Sequence, residues 1–145
     1  MFKSILFPTD GSDLSEKVTA TVMEFARLHQ SRITAVTVIQ PMLMPTLGDG
    51  AAVLDAGQYE VQMQSTARDH INKVAAAASA AGVPFEGIVA TSTNPADEIV
   101  QAAKKYGCDL IVMASHGRTG LSKLLLGSET QSVLSHTSLP VLVLH

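Results

Sequence analysis

Cys108 is the sequence's single cysteine, so no disulfide can form within the chain and no cysteine-built metal cluster is possible. It reads as a small residue just ahead of a strand. With four Phe, two Tyr and no Trp, few flat rings are on offer for stacking single-stranded nucleic acid. The formal net charge of −3 also argues against a general nucleic-acid binder, which needs a basic face. No apolar run approaches the roughly 20 residues of a membrane-crossing helix. Met1 to Ser4 leads into a strand-like run without the pattern of an export signal. The expectation is a cytoplasmic protein with no membrane or nucleic-acid partner. Charged residues make up only 16% and hydrophobic ones 46%. That is a globular composition, and one domain over residues 1–145 is expected.

What is present is a regular alternation. Ser4-Ile5-Leu6-Phe7-Pro8 reads as a first strand, ending in the turn residues Thr9-Asp10-Gly11. Leu14, Val18, Val22 and Phe25 then recur about one helical turn apart, with Ser12 or Asp13 as N-cap. Ile33 to Ile39 is β-branched and reads as strand two, stopped by Pro41. Met42 to Ala56, with Pro45, Gly48 and Gly50, reads as a long loop. Such loops serve as lids or binding loops, or here as a cover for the sheet edge or a subunit contact. A helix is expected from about Gln58 to Ala81, closed by Gly82 and Pro84. Strand three follows from Phe85 to Ala90. Asn94-Pro95 then opens a helix that ends near Tyr106-Gly107. Asp109 to Ala114 is apolar without alternation after its first residue, as suits a parallel strand covered on both faces. A helix from Gly127 to about Thr137 and a strand from Pro140 to Leu144 complete the order. Strands alternating with helices indicate an α/β fold with a five-stranded parallel sheet and helices on both faces.

Open parallel sheets bind ligands beyond the carboxyl ends of their strands, where the strand order reverses. With strand one central and the order 3-2-1-4-5, a Rossmann-like arrangement, that crevice lies between strands one and four. Pro8-Thr9-Asp10-Gly11-Ser12 would form one wall and Ser115-His116-Gly117-Arg118-Thr119-Gly120 the other. From Leu110 to Ser128 no Asp or Glu occurs, while Arg118 and Lys123 do. Gly127 then opens a helix whose free N–H groups and dipole favour an anion. These features fit a phosphate site, and equally a plain strand-to-helix connection. Other motifs are missing. Gly120-Leu121-Ser122-Lys123 lacks the ending and spacing of a P-loop, and Gly48-Asp49-Gly50 does not follow a strand as a dinucleotide fingerprint would. No Gly-x-Ser-x-Gly elbow occurs. Asp10 and Asp13 more often cap a helix than hold a metal.

At these residues the chain resembles the universal stress protein family, over essentially its whole length. The resemblance lies in Ile5-Leu6-Phe7-Pro8-Thr9-Asp10-Gly11-Ser12, Ala114 to Gly120, Leu124 to Ser128, and Leu139 to Leu144. The family's ATP-binding branch carries glycine, two residues, glycine, nine residues, then glycine with Ser or Thr. The matching positions are Ala114, Gly117, Gly127 and Ser128. Ala114 departs from the pattern, which matters little if it ends strand four in ordinary extended geometry. The resemblance implies ATP as ligand, with Mg²⁺ or Mn²⁺. Asp10, with Pro8 and Thr9 beside it, would meet the ribose or adenine side, and the Val38 backbone the adenine. Gly117, Gly127 and Ser128 would hold phosphates, flanked by His116 and Arg118, with Ser128 and Thr130 offering hydroxyls near any divalent ion. Glu129 suits a helix N-terminus but repels phosphate unless it points away or meets Mg²⁺. The resemblance also implies a homodimer through the apolar edge strand Val141-Leu142-Val143-Leu144, since an uncovered edge invites pairing.

No catalytic base or arginine finger can be assigned, so the expected activity is adenine-nucleotide binding by a stress-response regulatory dimer. A slow ATPase and a nucleotide-free dimeric interaction module are the alternatives. His116 is the one histidine in the proposed loop, and His136 reads as a partner of a helix C-terminus.

Overall fold

Short aliphatic and β-branched runs separated by helical ones fold into nine elements in a computed structural model, which describes residues 1–41, 50–117 and 126–145, and the side chains of these outside residues 50–56. They are β1 (Ser4–Pro8), α1 (Asp13–His29), β2 (Arg32–Ile39), α2 (Gly50–Ala81), β3 (Phe85–Thr91), α3 (Pro95–Lys105), β4 (Leu110–Ala114), α4 (Ser128–His136) and β5 (Val141–Leu144). The five strands form one sheet in the order β3-β2-β1-β4-β5, and every pairing is parallel. Both expectations, the order and the parallel sheet, hold.

The alternation within β1 explains the layers. Ile5 and Phe7 point to one face, where α1 and α2 bring Val18, Val22, Ile71 and Val74. Leu6 points to the other, where α3 and α4 bring Ile99, Val100, Ala103 and Val133. Ile5, Leu6 and Phe7 are all fully buried, which is why the central strand reads as an unbroken apolar run. The register Ser4↔Arg32 to Pro8↔Val36 brings the end of β1 level with the middle of β2. That leaves the last residues of β2 projecting past β1.

Helix ends follow the sequence signals. The Ser12 hydroxyl accepts from the Ser15 N–H at 3.2 Å, and Asn94 Oδ1 accepts from the Asp97 N–H at 3.2 Å with Pro95 in the first turn. One expectation is corrected. The segment to Ala56, read as loop, is helical from Gly50 onward, while residues 42–49 lie outside the described residues. Gly50 and Gly57 both lie within α2, since a glycine within a helix costs only about 1 kcal/mol and the Ala-rich neighbours favour the helix. Cys108 is buried just before β4, receives the Ser4 hydroxyl at 3.6 Å, and burial pushes its thiol pKa up. That is a structural thiol.

Helix α1 ends on Gln30, which is left-handed at φ 54°. The Ser31 N–H closes that end on Ala26 O at 2.8 Å. A side chain there is strained where glycine is not. Gln30→Gly should stabilise the protein by about 0.5–1 kcal/mol, read as a higher urea midpoint at unchanged slope.

Candidate functional site

Beyond the ends of β1, β2 and β4 lies a crevice of about 80 Å³, partly open to solvent. Its position at the reversal of strand order is where an open α/β sheet places a ligand. Val36, Val38, Ile99 and Met113 supply apolar lining, and Thr9, Asp10, Ser15, His116 and Glu129 supply polar groups. Pro8, Ala114 and Gly117 complete the wall. An apolar body with a few convergent polar groups is the usual make-up of a small-molecule site.

The turn after β1 is built to hold one carboxylate still. The Thr9 N–H bonds Val36 O at 2.9 Å, and the Thr37 hydroxyl donates to Thr9 O at 2.8 Å, so β2 fixes where β1 ends. Asp10 Oδ1 then accepts from the Ser12 N–H at 2.9 Å and from the Ser15 hydroxyl at 3.0 Å. Gly11 follows at φ 69°, and a Cβ built on it would lie 2.1 Å from Nε2 of His70. The turn therefore needs glycine twice over: for its left-handed backbone and for the ring of α2 that packs on it.

Asp10 Oδ2 lies across the crevice against Gly117, where a Cβ would come within 2.2 Å of it. The bare Cα at 117 makes room for the carboxylate. Gly127 is tight for another reason, since its Cβ would meet His116 Cα at 3.1 Å. The Gly127 N–H bonds Ser115 O at 2.7 Å, drawing the start of α4 to the end of β4. As N-cap, Gly127 provides no side-chain hydrogen bond to the first turn of α4, so no side chain of the cap residue covers those N–H groups. Ala114 is a strand residue paired with Leu144 and is not among the residues at positive φ. The alanine thus sits in ordinary extended backbone, as the sequence reading favoured.

The predicted site residues divide into three groups. Pro8, Thr9, Asp10, Val38, Ala114, His116, Gly117 and Glu129 are brought together in the crevice. Thr130 is buried, and its hydroxyl is engaged by Ala114 O at 3.0 Å. It ties α4 to β4 and, like Gly127 and exposed Ser128, is not part of the lining. Arg118 falls outside the described residues. Four lining residues were not foreseen: Ser15, Val36, Ile99 and Met113. Val36 was open to prediction, because it stands two residues before Val38 and so shares its side of the strand. Ile99 depends on how α3 packs over the sheet, which no local pattern announces, and Met113 comes from near the end of β4, where it reads as one more core residue.

His116 Nδ1 and the Ser115 hydroxyl lie 3.2 Å apart. Glu129 is exposed overall but also lines the crevice. Reduced hydration there, and then the negative charge of Asp10, hold its pKa above the usual carboxylate value. The fold therefore binds the Glu129 proton more tightly than the unfolded chain does. The resulting stability is full at low pH and is lost as pH climbs from the ordinary carboxylate value through the raised one. Glu129→Gln should melt higher than the parent near pH ~7 and lose that advantage near pH ~4, measured by thermal unfolding at both. The opposite order near neutrality would mean that the α4 dipole outweighs the lost hydration.

The universal stress protein family model matches residues 1–145. Universal stress protein MJ0531 of Methanocaldococcus jannaschii is 32% identical over 146 residues, which cover 99% of this chain and 82% of that protein. Among solved structures, MJ0577 of the same organism superposes with a TM-score of 0.82 at 28% identity, over 99% of this chain and 96% of that one. A universal stress protein solved in complex with cAMP has a TM-score of 0.68 at 23% identity, over 99% and 97% of the two chains, and shows the same fold. By a match that spans its full length, the chain belongs to the universal stress protein family.

Proposed function

We propose that the crevice binds an adenine nucleotide, ATP in its divalent-metal complex foremost, and that the protein works as a nucleotide-responsive regulatory dimer in a stress response. The observation that carries this reading is the crevice itself. Apolar Val36, Val38, Ile99 and Met113 lie beside a fixed carboxylate, Asp10, and near the N-terminus of α4. A flat base suits the apolar side, ribose hydroxyls suit Asp10 as donors to an acceptor, and phosphates suit the helix N-terminus. Pro8, Thr9, Ala114, His116 and Gly117 would frame the nucleotide, with Gly127, Ser128 and Arg118 toward its phosphates. Among the described residues no three His, Cys, Asp or Glu side chains converge as a metal site. A Mg²⁺ or Mn²⁺ ion would thus arrive on the phosphates, as such ions do when they keep water and phosphate oxygens as ligands.

Dimerisation is proposed through β5. It ends the sheet on one side, and all four of its residues, Val141 to Leu144, remain partly exposed. An apolar edge of that kind is a template for a second copy.

Two measurements test these readings. Calorimetric titration of nucleotide-stripped protein with Mg²⁺ present should show saturable binding of ATP and rejection of GTP. Gly117→Ala, which displaces the Asp10 carboxylate, should weaken ATP binding about ten-fold or more; a silent titration with the parent protein overturns the assignment. Sedimentation equilibrium should give a dimer for the parent and a monomer for Val143→Lys, whereas a monomeric parent overturns pairing through β5.

A further inference from the structure

Three titratable side chains line the crevice among the described residues: Asp10 from the β1–α1 turn, His116 after β4, and Glu129 from the first turn of α4. The β2, α3 and β4 residues that face them are uncharged. Asp10 is clamped by the Ser12 N–H and the Ser15 hydroxyl, which favours its charged form. Glu129 follows Ser128 directly, at the helix end to which the nucleotide reading above assigns the phosphates. The inference rests on that reading.

A helix N-terminus offers an anion about half a positive charge. Glu129 sets a full negative charge beside it, and the charge of Asp10 already acts on Glu129 across the same crevice. A phosphate chain reaching α4 therefore meets repulsion that grows with every negative charge it carries. Poor hydration of the wall makes that repulsion stronger than it would be in bulk water. The interaction is independent of the base, since the apolar lining lies on other elements.

We propose that Glu129 selects the ligand by phosphate charge: the crevice takes AMP-like nucleotides without a metal ion, and takes ATP only when a divalent cation has reduced its charge. Glu129 is thus a specificity-determining residue of the site. It makes metal-free ATP a poor ligand of a protein whose apolar lining would otherwise treat AMP and ATP alike.

The test is titration of the whole protein with AMP, ADP and ATP in EDTA, repeated with Mg²⁺, for the parent, Glu129→Gln and Glu129→Asp. In EDTA the parent should bind ATP about ten-fold more weakly than AMP, with ADP between them. Glu129→Gln should close most of that gap by gaining affinity for ATP, and Glu129→Asp, which keeps the charge, should retain it. Mg²⁺ should close the gap in the parent and change little in Glu129→Gln. An equal change for all three nucleotides in Glu129→Gln would show an effect on crevice shape and overturn the proposal. So would a gap that persists in Glu129→Gln. Binding with no gap in the parent overturns charge selection alone, while no binding of any nucleotide under either condition overturns the nucleotide reading with it.

Discussion

The carboxylate of Asp10 joins two segments that the chain reaches by opposite crossovers. One oxygen is held by the first turn of α1, through the Ser12 N–H and the Ser15 hydroxyl. The other lies against the bare Cα of Gly117 beyond β4. The first contact is local to the turn, but the second exists only because β4 is the neighbour of β1, so the site depends on the 3-2-1-4-5 order. The dependence also runs the other way. With a side chain at 117, the carboxylate and the post-β4 segment could not both keep their places, and the crevice would lose its shape. Glycine at 117 thus serves the protein's own packing, whatever ligand enters.

A second constraint acts from behind the turn. Gly11 receives the ring of His70, which belongs to α2. The turn that presents Asp10 is thereby gripped by β2 through Thr9, by α1 through Ser12 and Ser15, and by α2 through His70. A loop fixed from three elements loses little freedom when a ligand binds, which is the condition for a preorganised site. The wall formed by Ser115, His116 and Gly117 is tied differently, to the ends of β5 and α4 by the Ser115 N–H to Leu144 O and the Gly127 N–H to Ser115 O. The proposed dimer strand and the crevice therefore share a backbone connection. A change in how β5 is paired has a short path to His116.

Much of this was legible in the sequence, for a physical reason. Parallel strands buried on both faces are apolar without interruption, and caps such as Ser12 and Asn94 announce helices by chemistry that acts over three residues. Asp10, His116 and Gly117 were legible because strand ends in an α/β sheet are the places where polar residues and glycine interrupt apolar runs, whereas Val38 and Ala114 were implied by the family resemblance alone. The start of α2 was not, since Gly50 and Gly57 look like punctuation while a helix can absorb them at modest cost. Ile99 and Met113 were hidden because they look like any core residue; Ile99 reaches the crevice through the lie of α3 on the sheet, and Met113 from near the end of β4. The engagement of Thr130 with Ala114 was hidden likewise: a hydroxyl at a helix start can serve a ligand or a neighbouring strand, and spacing does not tell which.

Glu129 is where local and tertiary preferences part. Read locally, an acidic residue in the first turn of α4 is favourable, since it meets the positive end of the helix dipole. Its tertiary setting reverses the sign. The crevice withholds water from the carboxyl and faces it with Asp10, and the pKa rises where the helix alone would lower it. Local agreement with the fold is the usual state of a natural sequence, and departures from it gather at sites that bind. Exposed Glu24, on the outer side of α1, meets no such conflict. The difference between these two glutamates is a difference of place: one faces solvent, and the other faces the gap where β1 and β4 part company.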